Sequence, residues 1–91
     1  MSEVRHLIVS GQVQGIGYRY SMTAAARRHG VTGWVRNRRD GSVEATIEGD
    51  QEAIAAMIAW ARRGPAGAEV THVAVELASG GFTDFRQLPT E

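Results

Sequence analysis

Two stretches of helical period, set into a chain that otherwise alternates every second residue, restrict the folds open to this sequence more than any other feature. Leu7, Val9, Gly11 and Val13 share one side of an extended segment, with His6, Ile8, Ser10 and Gln12 on the other. Met22, Ala25, Ala26 and His29 then recur at helical spacing, with Arg27 and Arg28 off that face and Gly30 placed to end the helix. Val31 to Arg36 is rich in β-forming residues. Ser42 to Glu48 alternates strictly, Val43, Ala45 and Ile47 opposite Glu44, Thr46 and Glu48. Arg39, Asp40 and Gly41 between them carry an Asp-Gly turn signal, so these two strands are expected to be antiparallel neighbours. Asp50 is placed to cap a second helix, and Glu52 suits its positive end. Ile54, Met57, Ile58 and Ala61 form its buried stripe, and Gly64 and Pro65 stop it. Glu69 to Glu76 alternates as a fourth strand. Ser79, Gly80 and Gly81 read as a turn, and the apolar tail around Phe82 and Phe85 as a short fifth edge strand.

The order β-α-β-β-α-β predicts an α+β fold, the ferredoxin-like two-layer sandwich, in which an antiparallel sheet carries both helices on one face. At 91 residues the chain is long enough for one domain and too short for two, so residues 1–91 are expected to share a single core. There is no cysteine, which excludes a disulfide framework, a thiolate nucleophile and a cysteine metal site. All ten basic residues are arginines, so no lysine is present for a Schiff base or a Walker-type phosphate loop. Ten acidic residues balance them, and a net charge of zero gives no broad pull toward nucleic acid or an anionic membrane. With no leader-like N-terminus and no long apolar run, the expected compartment is the cytoplasm, and the chain is separately expected to act as a monomer.

Between the first strand and the first helix lies Gly11-Gln12-Val13-Gln14-Gly15-Ile16-Gly17-Tyr18-Arg19. The first N–H groups of a helix have no internal partner, and the peptide dipoles favour negative charge there. Glycines let the preceding amides curl into a nest. An arginine in the opening turn adds a planar fork that matches two oxygens of one phosphate. The same glycines also suit an ordinary tight β-to-α turn, and their spacing alone does not separate the two readings. A Walker loop and a dinucleotide fold are both excluded, because no Gly-Lys-Ser/Thr ending and no parallel βαβ unit is present.

The letters of that loop resemble the signature of the acylphosphatase family. Gly33-Trp34-Val35-Arg36-Asn37, followed by Asp40-Gly41-Ser42-Val43-Glu44, is similar to its second signature. The similarity runs on through Trp60 and Gly64-Pro65 to Val70, and the family's fold is the sandwich reached above. Tyr18 stands where the family often has phenylalanine, and Arg38 where some members have a small polar residue. The resemblance implies metal-independent hydrolysis of acyl phosphates with no cofactor. It implies that Arg19 binds the substrate phosphate, that the amides of Gln14, Gly15, Ile16, Gly17, Tyr18 and Arg19 line the cradle, and that Asn37 orients the attacking water. The substrate would be a small acyl phosphate and the product inorganic phosphate, with no nucleic acid or membrane as partner. The alternative is a non-catalytic module that binds phosphate or carbamoyl phosphate.

Other residues read more plainly. His6 and His72 fall on strands that neighbour each other in such a fold, but two ligands without carboxylates or cysteines make a poor metal site. His29 reads as a structural residue of the first helix's inner stripe, and Trp34 and Trp60 as core and core-edge residues. Arg36 and Arg38 read as solvated hairpin charges that help attract an anionic substrate. With Arg39 and Trp34 they form a weak case for nucleic-acid binding, because the sheet lacks paired aromatics for stacking bases.

Overall fold

The computed structural model describes residues 2–91. Strand β1 (Ser2–Gln12) leads to helix α1 (Tyr18–Arg28), strands β2 (Thr32–Asn37) and β3 (Val43–Asp50), helix α2 (Gln51–Arg63), strand β4 (Glu69–Leu77) and strand β5 (Phe85–Gln87). The strands lie in the order β4-β1-β3-β2-β5. This is the ferredoxin-like sandwich expected from the alternation of periods. The core forms between the sheet and the helices: Leu7, Val9, Val35, Val43, Ala45 and Ile47 face Met22, Ala25, Ala26, Ile54, Met57 and Ala61, all at most 3% exposed. Each sheet residue in that set lies on one face of its strand, as the period of two requires.

The sheet departs from the expectation in one respect. β1 pairs antiparallel with β3 and β4, and β2 antiparallel with β3, but β5 runs parallel to β2. The cause is the route of the chain. β4 lies at one edge of the sheet and β5 at the other, so residues 78–84 cross the end where β1 begins and β3 finishes, and β5 enters in the direction of β2. The Ser79–Gly81 stretch is therefore part of this crossing rather than a simple turn. The Glu48 carboxylate holds it, accepting the N–H groups of Gly81 at 2.8 Å and Phe82 at 3.0 Å. Phe82 precedes the edge strand, and Phe85 is the aromatic that reaches the core.

Three side chains take other places than the sequence pattern gave them. His29 follows the last residue of α1 and is exposed, because the chain leaves the helix before the imidazole reaches the inner face. Trp34 alternates with the buried Gly33 and Val35, so it lies on the sheet face away from the helices. Ile58 is only partly buried at the margin of the core.

The two helices start differently. Asp50 caps α2 through its side chain, accepting the Ala53 N–H at 2.8 Å, and Glu52 lies in the first turn. α1 follows Gly17, has no side-chain cap and carries no acid in its first turn. That open end is fixed by Tyr18, whose ring packs at 5.2 Å from Trp60 and whose hydroxyl donates to the Ala61 carbonyl at 2.7 Å. Burial pushes the phenol above its ordinary value of 10.0, so it stays a donor. Ala61 belongs to the last turn of α2, where carbonyls lack intrahelical partners. Tyr18→Phe is expected to cost about 1 kcal/mol and to lower Tm by roughly 4–8 °C for a domain of this size. Thermal unfolding followed by circular dichroism checks this, and an unchanged Tm contradicts it.

Candidate active site

β1, β2 and β5 all run toward the same end of the sheet, and their last residues meet there. From β1 the chain passes through residues 13–17 into α1. Gly15 and Gly17 have φ of +80° and +79°, while among the described residues only glycines have positive φ. The backbone thus alternates in hand from Gly15 to Tyr18, the pattern that turns successive N–H groups into an anion-binding nest. A Cβ on either glycine would meet nothing within 4 Å, so the requirement is conformational rather than steric. The helical ladder begins with the Ser21 N–H donating to the Gly17 carbonyl at 2.9 Å. The N–H groups of Tyr18, Arg19 and Tyr20 come before it and have no helical partner. Arg19 itself forms no ion pair with a carboxylate among the described residues.

Asn37 ends β2, paired in register with Val43. Its backbone carbonyl accepts the Glu91 N–H at 3.1 Å, so the C-terminal tail braces it. Its Oδ1 is buried and receives no hydrogen bond from the described residues. Gln14, Gly15, Gly17, Tyr18, Arg19 and Asn37 line one pocket of about 110 Å³. That is several-fold smaller than the ~300–1,000 Å³ clefts that enclose drug-sized ligands, and it suits a small anion with a water beside it. Ile16 lies outside this lining and packs its side chain against the core. Tyr20 and Gln87 also line the pocket. Neither was legible beforehand: Tyr20 falls on the polar side of α1, and Gln87 enters only through the parallel placement of β5.

The hairpin between Asn37 and Val43 is closed by the Arg38 N–H donating to the Ser42 carbonyl at 2.9 Å, and by Asp40 Oδ1 accepting the Ser42 N–H and hydroxyl at 2.9 and 2.6 Å. Gln14 reaches across from the loop, its Nε2 donating to the carbonyls of Arg38 and Ser42, each at 2.8 Å. Behind the hairpin Glu44, only 6% exposed, gathers the neighbouring charges. Arg36 Nε donates to Glu44 Oε1 at 2.7 Å, Arg38 to the same oxygen at 3.2 Å, and His6 Nε2 lies 2.7 Å from Oε2. Arg36 also stacks 4.9 Å over the Trp34 ring. Arg36 and Arg38 are therefore held by a buried carboxylate rather than being free solvated charges. His6 stands opposite Glu76 and His72 opposite Ser10, four strand positions apart or about 13 Å, so the two imidazoles share no site.

Residues 5–86 match the family model described as acylphosphatase. The chain belongs to the acylphosphatase family. It is 53% identical over 94 residues to the acylphosphatase of Pyrobaculum islandicum, covering 99% of each chain. Its fold matches an acylphosphatase from Coxiella burnetii with a TM-score of 0.92 at 34% identity, covering 96% of this chain and 93% of that one. An acylphosphatase from Bacillus subtilis matches with a TM-score of 0.90 at 32% identity, over 97% and 99%. These likenesses span both signature blocks and the elements that join them.

The Glu44 cluster makes the hairpin sensitive to acid. Burial pushes the Glu44 carboxyl up, but hydrogen bonds from His6 and Arg36 and their positive charge outweigh it and hold the group below its ordinary value of 4.5. A carboxyl depressed on folding contributes stability that is present above 4.5 and is lost as pH falls through the lower, folded-state value. The stabilities of the wild type and Glu44→Gln in urea should therefore converge as pH falls from 7 to 3. The wild type is expected to be the more stable at pH 7 and to lose that advantage at pH 3; a difference unchanged by pH contradicts the assignment.

Proposed function

We propose that the chain hydrolyses acyl phosphates to a carboxylate and inorganic phosphate, with Arg19 and the loop amides binding the phosphate and Asn37 orienting the attacking water. The observation that carries this reading is the shared pocket. An uncapped helix start, an arginine with no carboxylate partner among the described residues and an asparagine with an unsatisfied amide oxygen line the same 110 Å³. A buried oxygen left without a donor costs about 1–3 kcal/mol, a cost that a water donating to it relieves. The terminal torsion of asparagine is broad, so that oxygen can turn toward the water.

In this scheme the water oxygen bonds to phosphorus, the bond from phosphorus to the carboxyl oxygen breaks, and the electron pair leaves with the carboxylate. Asparagine does not titrate, so Asn37 places the water without being a strong base, and the water's proton passes to a phosphoryl oxygen. A carboxylate leaving group has a conjugate acid of pKa about 4, so no general acid is required. Phosphoryl transfer is mainly positioning and stabilisation of charge on the phosphoryl oxygens. Arg19 and the nest supply both, and the scheme uses no metal. All the groups involved come from one chain, which supports action as a monomer. No helix among the described residues is long and apolar enough to cross a membrane.

The test is turnover of acetyl or benzoyl phosphate with a chelator present, in the wild type and in Arg19→Lys, Arg19→Ala and Asn37→Ala. Asn37→Ala is expected to lower kcat about 10²-fold or more while phosphate still binds. Arg19→Ala is expected to weaken inorganic phosphate as a competitive inhibitor by roughly tenfold or more, the worth of a charge-assisted hydrogen bond. Arg19→Lys, lacking the planar fork, falls between. Wild-type turnover no faster than that of the variants overturns the proposal, and phosphate binding without hydrolysis assigns the chain to the non-catalytic alternative.

A further inference from the structure

Gln14 belongs to the phosphate loop by sequence, but its side chain is committed elsewhere. A glutamine amide has two N–H donors, and Gln14 sends its Nε2 to two carbonyls, those of Arg38 and Ser42, each at 2.8 Å and across 24 and 28 residues of chain. Those acceptors are specific in their placement. Arg38 directly follows Asn37, and Ser42 directly precedes Val43, the residue paired with Asn37 across the hairpin. Gln14 therefore grips the hairpin at both residues that flank the Asn37–Val43 pair. Among the described residues no other hydrogen bond joins residues 13–17 to residues 38–42. Gln14 and Asn37 also line the same pocket.

From this geometry we infer that Gln14 is a positioning residue, setting the distance between the anion cradle and the amide of Asn37 while binding neither phosphate nor water through its own side chain. The inference rests on the hydrolytic reading above. Its physical basis is that reacting groups must be held within about 0.5 Å of their productive geometry, and that a shift of about 1 Å costs roughly 10²-fold in rate. The cradle is built from backbone at residues 15–19 and from Arg19, so it keeps its own form when the clamp is cut. Asn37 is held in the sheet by its pairing with Val43 and by the Glu91 N–H, but among the described residues its hairpin has no other hydrogen bond to the loop, so the clamp is what sets Asn37 relative to the cradle. The chemistry of the position is also narrow. Asparagine is one methylene too short to keep the reach. Glutamate has no donors and sets a carboxylate against two carbonyl oxygens. Methionine keeps the length and loses the bonds.

The test is a double-mutant cycle on the whole chain, with wild type, Gln14→Met, Asn37→Ala and the double variant assayed on acetyl phosphate and inorganic phosphate used as competitive inhibitor. Gln14→Met is expected to lower kcat about tenfold or more and to leave the inhibition constant of phosphate within about twofold. In the Asn37→Ala background the same change should lower kcat by less than about twofold, because the group it positions is already gone. A tenfold loss in both backgrounds, an unchanged kcat, or a loss of phosphate affinity in step with kcat overturns the inference. Gln14→Ala, which removes the side chain without replacing it, carries the same expectations where Gln14→Met is too unstable to purify. Where Asn37→Ala turnover lies below detection, the split between kcat and phosphate inhibition in the Gln14 variant decides alone. A wild type that turns over no acyl phosphate overturns the hydrolytic reading and this inference with it.

Discussion

The start of α1 has neither a side-chain cap nor an acid in its first turn, and the site is arranged around that open end. Unpaired N–H groups at a helix start take up a partner from somewhere. In α2 the chain supplies its own through the Asp50 side chain, with the Glu52 charge beside it in the first turn. In α1 it supplies Gly17 in a left-handed conformation and an Arg19 that has no acidic partner among the described residues, so those N–H groups are left open, in the proposed reading to an anion. The two helices of one small fold thus show both ways of meeting the same physical demand. Only one leaves a site.

An open helix end is useful only if its position is fixed, and the packing beneath it does that. Tyr18 is the first residue of α1 and is nearly fully buried, its hydroxyl bonded into the last turn of α2 and its ring against Trp60. The cradle is thereby referenced to both helices. Asn37 is referenced to the sheet through β2, to the C-terminal tail through Glu91, and to the loop through Gln14. Glu44 holds the side chains of Arg36 and Arg38 on the far face, so the hairpin is gripped on both sides. Catalysis by positioning requires such over-determination, since no strong acid or base is present to compensate for a misplaced water.

The periodicities of the sequence were sufficient for the order of elements, because the packing of one sheet face against two helices leaves a regular trace in the residues that face the core. They were silent on the direction of β5, which depends on a crossing held by Glu48, a contact 33 residues distant in the chain. They also misplaced Trp34, since a large apolar residue on a strand reads as core even when its neighbours Gly33 and Val35 occupy the inner face. The glycine loop and Arg19 were visible as a local motif. Asn37 became visible through its resemblance to a second signature, as its relation to the loop is non-local. The roles of Gln14, Arg36 and Arg38 were not legible at all. A side chain's donors and charge can be read from its letter, but the carbonyls or carboxylate that engage them are set by the fold.

The central claim is that an anion is held at the open start of α1 and not at other cationic positions. An amide NMR titration of the whole chain with inorganic phosphate tests it most directly. The expected result is saturable shifts confined to the amides of residues 14–20, the Arg19 side chain and the Asn37 side-chain amide, with the capped start of α2 at Gln51–Ala53 unmoved. Shifts spread over exposed arginines such as Arg62 and Arg63, or no saturable shift within the loop, would contradict it.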